Sequence, residues 1–374
     1  MKILVITLEY PPQIGGIASY VYNFAMHLSA GDVVVYAPTQ SGDEEFDAKN
    51  KWKTYRRQPY WPLVWPHWLR VFLQIARIVK QEKITEIHLH QVLPLAYVAL
   101  ILNKFWHVPY TIFLHGSDVY FASRNRWKLN KFRWVCKRAK NIVVNSVFFK
   151  KQLENLVDTS SQKVTVVYPC PADLFFALPP AIEKIEHLRQ TLALTGKKVI
   201  VSVARLVERK GHALFLNSFI KILQAVPNAV WLIVGEGEEK KYLTSLVEKY
   251  NLQGVVRFLS AVPMEELPVY YYLSDLFLLL THKDKDGVEE AWGTVFLEAS
   301  ACGLPIVAGR SGGVDEAVEN LVSGIIVDVN FPDVIVKTVV DLLKNEGYAK
   351  QLGISGRERV RAEFTWEKQI DKLK

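Results

Sequence analysis

Cysteine is scarce in this chain. Cys136, Cys170 and Cys302 are the three among 374 residues, odd in number and unclustered, which argues against a disulfide framework or a zinc site. A reducing compartment is the natural home. Long apolar runs are missing as well. The N-terminal run Ile3 to Leu8 is too short for a signal-peptide core and is followed by Glu9 and two prolines, so it reads as a first buried strand. The longest other apolar run, Val92 to Leu102, falls well short of the roughly twenty residues a membrane span needs. The expectation is a cytoplasmic chain that does not cross a bilayer. No sustained repeat, low-complexity tract, helix-turn-helix, RNA-recognition or zinc-finger pattern is present, so nucleic acid is not an expected partner despite the net charge of +8.

Half the residues are hydrophobic, and the length suits two domains of ordinary size, each with its own apolar interior. Strand-like runs alternate with helical stretches such as Ser19 to Ser29 and Leu69 to Gln81. The first series is Lys2 to Leu8, Asp32 to Ala37, Glu86 to His90, Tyr110 to Leu114, Asn141 to Asn145 and Val164 to Tyr168. A second follows at Lys198 to Val203, Ala229 to Val234, Val255 to Leu259, Leu276 to Leu280, Pro305 to Ala308 and Gly324 to Val327. Continuous apolar strands between helices imply parallel sheets covered on both faces, hence an α/β chain of two doubly wound units. Prolines 169, 171, 179 and 180 place the boundary between 1–178 and 185–356.

Basic residues gather in the first half. Lys49, Lys51, Lys53, Arg56, Arg57 and Arg70 alternate with Trp52, Tyr55, Tyr60, Trp61, Trp65 and Trp68, and a second cationic group runs from Arg124 to Lys140. The first mixture suits the headgroup level of a bilayer, so segment 49–70 is expected to be an anionic membrane edge; its alternative is that these tryptophans pack inside the domain.

The chemistry concentrates in Glu290-Ala-Trp-Gly-Thr-Val-Phe-Leu-Glu298. Gly293 permits a tight turn into a helix, so the amides of Thr294, Val295 and Phe296 are expected to point at a diphosphate, favoured by the helix dipole. Glu290 before the turn and Glu298 inside the helix reach different parts of one ligand. Arg205 and Lys210 bring two cations to the end of the strand Lys198 to Val203, with Arg209 between them as the more solvated member. Gly15-Gly16 precedes a helix, where bare amides can approach a phosphate or simply form a turn. His115 follows the strand Tyr110 to Leu114 in the setting His-Gly-Ser-Asp118 and is a candidate functional group; His88 and His90 sit at alternate positions of one strand, as buried core histidines do.

These motifs, with Tyr10-Pro-Pro-Gln-Ile-Gly-Gly-Ile, Ala204-Arg-Leu-Val-Glu-Arg-Lys-Gly-His212, Val234-Gly-Glu-Gly237, Gly309-Arg-Ser-Gly-Gly-Val-Asp-Glu316 and Phe364-Thr-Trp-Glu367, resemble in order the retaining nucleotide-sugar glycosyltransferases of family 4, nearly end to end. The resemblance implies the GT-B fold: two Rossmann-like domains facing a deep cleft, an acceptor-side N-terminal domain and a donor-binding C-terminal one. It also implies a C-terminal helix, about 357–374, crossing back to the N-terminal domain. Phe364, Trp366, Ile370 and Leu373 are expected to share its apolar face. It implies that Arg205 and Lys210 hold the donor diphosphate, that Glu298 accepts from the ribose, and that Glu290 and His115 meet the transferred sugar. Gly235 and Gly237 would line the base pocket. One departure is Pro169-Cys170-Pro171, where members often carry Pro-Asn-Gly.

No Asp-x-Asp motif stands at the donor site; Asp284-Lys-Asp286 has the spacing but lies in a charged loop. With cations and a helix N-terminus to neutralise the diphosphate, no metal and no cofactor beyond the nucleotide-sugar substrate is expected. The expected enzyme is a hexosyltransferase using GDP-mannose or a UDP-hexose and a lipid-linked or cell-surface glycan acceptor, peripheral at the inner face of a membrane. A GT-B nucleotide-sugar epimerase and a catalytically silent nucleotide-sugar-binding subunit remain the alternatives.

Overall fold

A computed structural model describes residues 1–59, 68–160 and 163–373. They form two units, 1–169 with 366–374 and 170–365.

The first unit holds seven strands: β1 (Ile3–Ile6), β2 (Val33–Ala37), β3 (Lys53–Arg56), β4 (Glu86–Leu89), β5 (Tyr110–Leu114), β6 (Asn141–Val144) and β7 (Lys163–Val166). All pairings are parallel, in the order β3-β2-β1-β4-β5-β6-β7. β1, β2, β4 and β5 are buried throughout, as strands of a parallel sheet covered on both faces are. β3 and β7 close the two edges and are the half-exposed ones, each opening on a lysine that discourages further pairing.

The second unit repeats the plan with β8 (Lys198–Val203), β9 (Ala229–Val234), β10 (Val256–Leu259), β11 (Leu276–Leu279), β12 (Ile306–Gly309) and β13 (Ile325–Val327), ordered β10-β9-β8-β11-β12-β13. Each unit has its own apolar core, one around Ile6, Ile87 and Ile112, the other around Ile200, Trp231 and Leu278. In both sheets the strand order reverses once, between β1 and β4 and between β8 and β11. Chains leaving these strands in opposite directions open a crevice at their carboxyl ends, where doubly wound sheets bind ligands.

The twelve expected strands are present with ends shifted by a residue or two, and β3 is additional. Its Lys-Thr-Tyr-Arg carries no apolar run, so an edge strand with one solvated side escaped notice. The C-terminal segment returns to the first unit as expected, but from residue 366 and not as one helix from about 357. Residues 357–363 belong to the helix Glu346–Glu363 of the second unit, which packs on the helix Thr294–Ala301. The expected single apolar face is divided accordingly. Phe364 lies against Trp292 in the second unit at 5.6 Å, whereas Trp366 and Ile370 are buried in the first. There Trp366 meets Tyr20 edge-on at 5.2 Å, and Gln369 Oε1 accepts the Tyr168 amide at 3.1 Å.

Because Trp366 is 1% exposed, Trp366→Ala removes a full aromatic payload from the first unit. The expected cost is about 3 kcal/mol or more, a drop of roughly 6 °C in that unit's melting transition. Calorimetry that finds both transitions unmoved would detach this segment from the first unit.

Candidate active site

In the second unit the loops after β8 and β11 meet at the reversal of strand order. Lys210 Nζ donates to Glu290 Oε2 at 2.5 Å, and the two side chains are 12% and 15% exposed. Gly211 follows Lys210 at φ 73°, and a Cβ there would run into the carbonyl oxygen of Leu280, so only glycine lets the β8 loop lie this close to the end of β11. Glu290 is fixed from the other side by the loop after β12: its amide donates to Ser311 Oγ at 3.2 Å and its carbonyl accepts the Gly313 amide at 3.0 Å. Burial alone would raise the Glu290 carboxyl, but Lys210, with Arg209 and Arg205 behind it, brings it net below the usual range. It is therefore a carboxylate at neutral pH.

Arg205 is exposed and Arg209 half-buried, the reverse of the solvation expected for the pair. The Arg209 carbonyl accepts the His282 amide at 3.0 Å, which draws that residue inward.

Gly293 takes φ 92° and caps the helix Thr294–Ala301, with no side chain satisfying the helix's first amides. The Phe296 amide is already bonded to the Gly293 carbonyl at 3.1 Å, so of the three amides expected to face a diphosphate, Thr294 and Val295 are the ones positioned to do so. One turn on, Glu298 Oε2 accepts the Tyr271 hydroxyl at 3.0 Å. Burial pushes the Glu298 carboxyl up to about 7, and the Tyr271 bond offsets only part of that. Nothing in the sequence linked Tyr271 to Glu298. The loops after β8, β9 and β10 are laced together: the Gly235 amide reaches Leu259 and the Leu206 amide reaches Glu236, at 3.1 and 2.9 Å. Gly235 and Gly237 press on the backbones of Ala204 and Leu206, where any Cβ would collide. Asp284 is a turn-former: its Oδ1 accepts the amides of Asp286 and Val288 at 3.0 and 2.9 Å.

In the first unit, Gly15 precedes the helix Gly16–Met26, and the space where a Gly16 side chain would stand is open. His115 Nε2 lies 3.2 Å from His90 Nδ1 and its ring meets Tyr20 edge-on at 4.9 Å. Burial lowers the His115 pKa to about 4 and holds His90 well below its ordinary value, so both rings are neutral at pH 7. Asp118 is a clamp between loops. It accepts the Val92 amide at 3.2 Å and the His115 amide at 3.3 Å, tying the ends of β4 and β5 together. Sequence reading left His90 in the core; its partnership with His115 follows from the adjacency of β4 and β5.

Among the described residues of segment 49–70, Trp52, Tyr55 and Arg56 are engaged within the first unit. Trp52 is buried and donates to the Tyr10 hydroxyl at 3.1 Å, and Arg56 is spent on Asp47 at 2.8 Å and on the carbonyls of Pro11 and Pro38. Tyr55 donates to Glu82 at 2.6 Å. Tyr60, Trp61 and Trp65 lie outside the described residues. No helix among the described residues is long and apolar enough to cross a membrane.

Comparison with known proteins follows the same division of the chain. The model of glycosyltransferase family 4 matches residues 14–170, and that of the glycosyl transferases group 1 matches 183–359. A GDP-mannose-dependent alpha-(1-6)-phosphatidylinositol monomannoside mannosyltransferase of Mycolicibacterium smegmatis is 29% identical, with 97% of this chain and 94% of the relative covered. A GDP-mannose-dependent monoacylated alpha-(1-6)-phosphatidylinositol monomannoside mannosyltransferase of Corynebacterium glutamicum is 27% identical over 98% of this chain and 95% of its own. Among solved structures, Anabaena HepE in complex with UDP-glucose superposes with a TM-score of 0.81 at 19% identity, covering 100% of this chain and 99% of that one, a likeness of fold. With two Rossmann-like units of parallel strands, the motif residues at strand ends, and the matched models spanning most of the sequence, the chain is a glycosyltransferase of the GT-B fold and belongs to glycosyltransferase family 4.

Proposed function

We propose that the protein is a retaining hexosyltransferase that moves a hexose from a nucleotide sugar, GDP-mannose or a UDP-hexose, to a lipid-linked or cell-surface glycan acceptor at the anionic cytoplasmic face of a membrane. The observation that carries this reading is the buried Lys210–Glu290 pair, set at the reversal of strand order beside an uncapped helix N-terminus and Glu298. The relatives named above support GDP-mannose over UDP-hexoses and a phosphoinositide-type lipid over a free glycan.

In this reading Lys210 and Arg205 face the donor diphosphate with the amides of Thr294 and Val295. Charge grows on the diphosphate as its bond to the anomeric carbon breaks, and preorganised cations and dipoles stabilise that growth without reorganising. Glu298 accepts from the ribose hydroxyls, and the loops after β8 and β9, brought together at Gly235 and Gly237, line the base. Glu290 binds hydroxyls of the transferred sugar and holds Lys210 in place. By the family resemblance, neutral His115 offers a hydrogen bond to a sugar hydroxyl, and the amides after Gly15 and Gly16 approach a phosphate. The acceptor hydroxyl attacks the anomeric carbon on the face the nucleotide leaves, forming the new glycosidic bond, and the departing phosphate oxygen takes its proton.

Incubation with a panel of nucleotide sugars and a lipid extract, with the product anomer read by NMR, tests the reading. Transfer with the donor's own anomeric configuration is expected. Interconversion of the nucleotide sugar would instead mark an epimerase, and binding without turnover a silent subunit.

Lys210→Ala and Glu298→Ala should each lower transfer tenfold or more, a loss of about 1.4 kcal/mol or more of transition-state stabilisation, with the circular dichroism unchanged. Unaltered turnover in either would displace the donor site. Glu298 ionises near pH 7, so the form that accepts from ribose fills as pH rises through that value. Donor kcat/KM should climb across that interval in the wild type, and Glu298→Gln should flatten the climb; a rise that persists in the variant belongs to another group. Transfer should also survive EDTA, since Lys210 and Arg205 supply the neutralising charge; loss restored by magnesium or manganese would refute this.

A further inference from the structure

The helix Arg126–Cys136 turns Phe132, Val135 and Cys136 into the core of the first unit, yet leaves Trp127 63% and Trp134 42% exposed. Their spacing, with Lys131 between them and Arg138 one turn beyond, places Trp127, Lys131, Trp134 and Arg138 along one stripe. The contacts follow that stripe. Lys131 Nζ stands 5.6 Å from the Trp127 ring and 5.9 Å from the Trp134 ring, and the Arg138 guanidinium is 4.7 Å from Trp134. The helix just before it, Ser117–Ser123, adds Phe121, 60% exposed, and Arg124 stacked 4.6 Å from Tyr120. From Val119 to Leu153 the sequence has no Asp or Glu; the carboxylates that follow, Glu154 and Asp158, stand beside Arg133 and Lys137, which lie off the stripe.

We infer that this stripe is the surface by which the protein docks on an anionic phospholipid bilayer. The inference rests on the lipid-linked acceptor proposed above and supplies it with a location. Exposed indole rings beside cations match the headgroup layer, where the ring body meets acyl carbon, the indole N–H stays hydrated and the ammonium or guanidinium meets lipid phosphate. Charge complementarity selects this occupant. A stripe whose charged side chains, Lys131 and Arg138, are both cations suits a uniformly negative sheet, whereas a second copy of the same stripe would set like charges against each other. Trp52 and Arg56 of the earlier aromatic segment, being committed to Tyr10 and Asp47, are not part of it.

The test is sedimentation of the full chain with phosphatidylcholine vesicles, with and without phosphatidylglycerol. The wild type is expected to bind the anionic vesicles alone and to be released by raised salt. Trp127→Ala/Trp134→Ala and Lys131→Glu/Arg138→Glu should each lose at least tenfold in partitioning while keeping the wild-type melting curve and the wild-type affinity for a nucleoside diphosphate. Lys249→Glu, in the second unit, should bind as wild type. Wild-type partitioning in both double variants, absence of binding to anionic vesicles, or a wild-type dimer that the substitutions convert to monomer would each overturn the inference. Nucleotide affinity and transfer to a detergent-dispersed lipid extract are read separately, so failed docking and a failed donor assignment are told apart.

Discussion

A lysine and a glutamate held nearly out of water set the terms for the second unit. Removing a carboxylate and an ammonium from solvent is unfavourable, and their attraction offsets the loss only at close range with the remaining hydrogen-bonding positions met. The Lys210–Glu290 contact of 2.5 Å meets the first requirement, and the Ser311 and Gly313 bonds to the Glu290 backbone keep the carboxylate on target. That arrangement demands that the loops after β8, β11 and β12 converge, and glycine makes the convergence possible: Gly211 against Leu280, Gly312 against the Glu290 carbonyl. The same pair is a natural place to receive a diphosphate, because a charged ligand can exchange with one partner while the other remains compensated.

The two glutamates flanking Gly293 are in different electrostatic states. Glu290, beside Lys210, is lowered and ionised; Glu298, with a phenol for company, is raised to about 7. Similar residues eight positions apart thereby gain different chemistry from their neighbours, the first suited to steady charge compensation, the second to a hydrogen-bonding role that responds to pH.

Much of this was legible because buried parallel strands announce themselves as unbroken apolar runs, and because turns that need positive φ announce themselves as glycine. Thus β8 and β9, Gly293 and the Arg205-to-Lys210 loop all followed from the sequence. What escaped depends on pairing across strands or on which side of a residue faces water. β3 is an edge strand without an apolar run, and the His90–His115 and Tyr271–Glu298 contacts arise from elements far apart in sequence. Trp52 and Arg56 looked interfacial by composition, but a tryptophan N–H with a phenol partner and an arginine with an aspartate are at home inside a domain. Among the described residues the two most exposed indole rings, Trp127 and Trp134, lie instead on the helix Arg126–Cys136, where the helical period, read against the buried Phe132 and Val135, separates the two faces.

The most direct measurement of the central claim is a crystal structure of the protein with a nucleoside diphosphate. The account predicts the phosphates over the amides of Thr294 and Val295, Lys210 Nζ turned from Glu290 onto a phosphate oxygen, and the ribose hydroxyls on Glu298. A nucleotide bound elsewhere, with the Lys210–Glu290 contact intact, would contradict it.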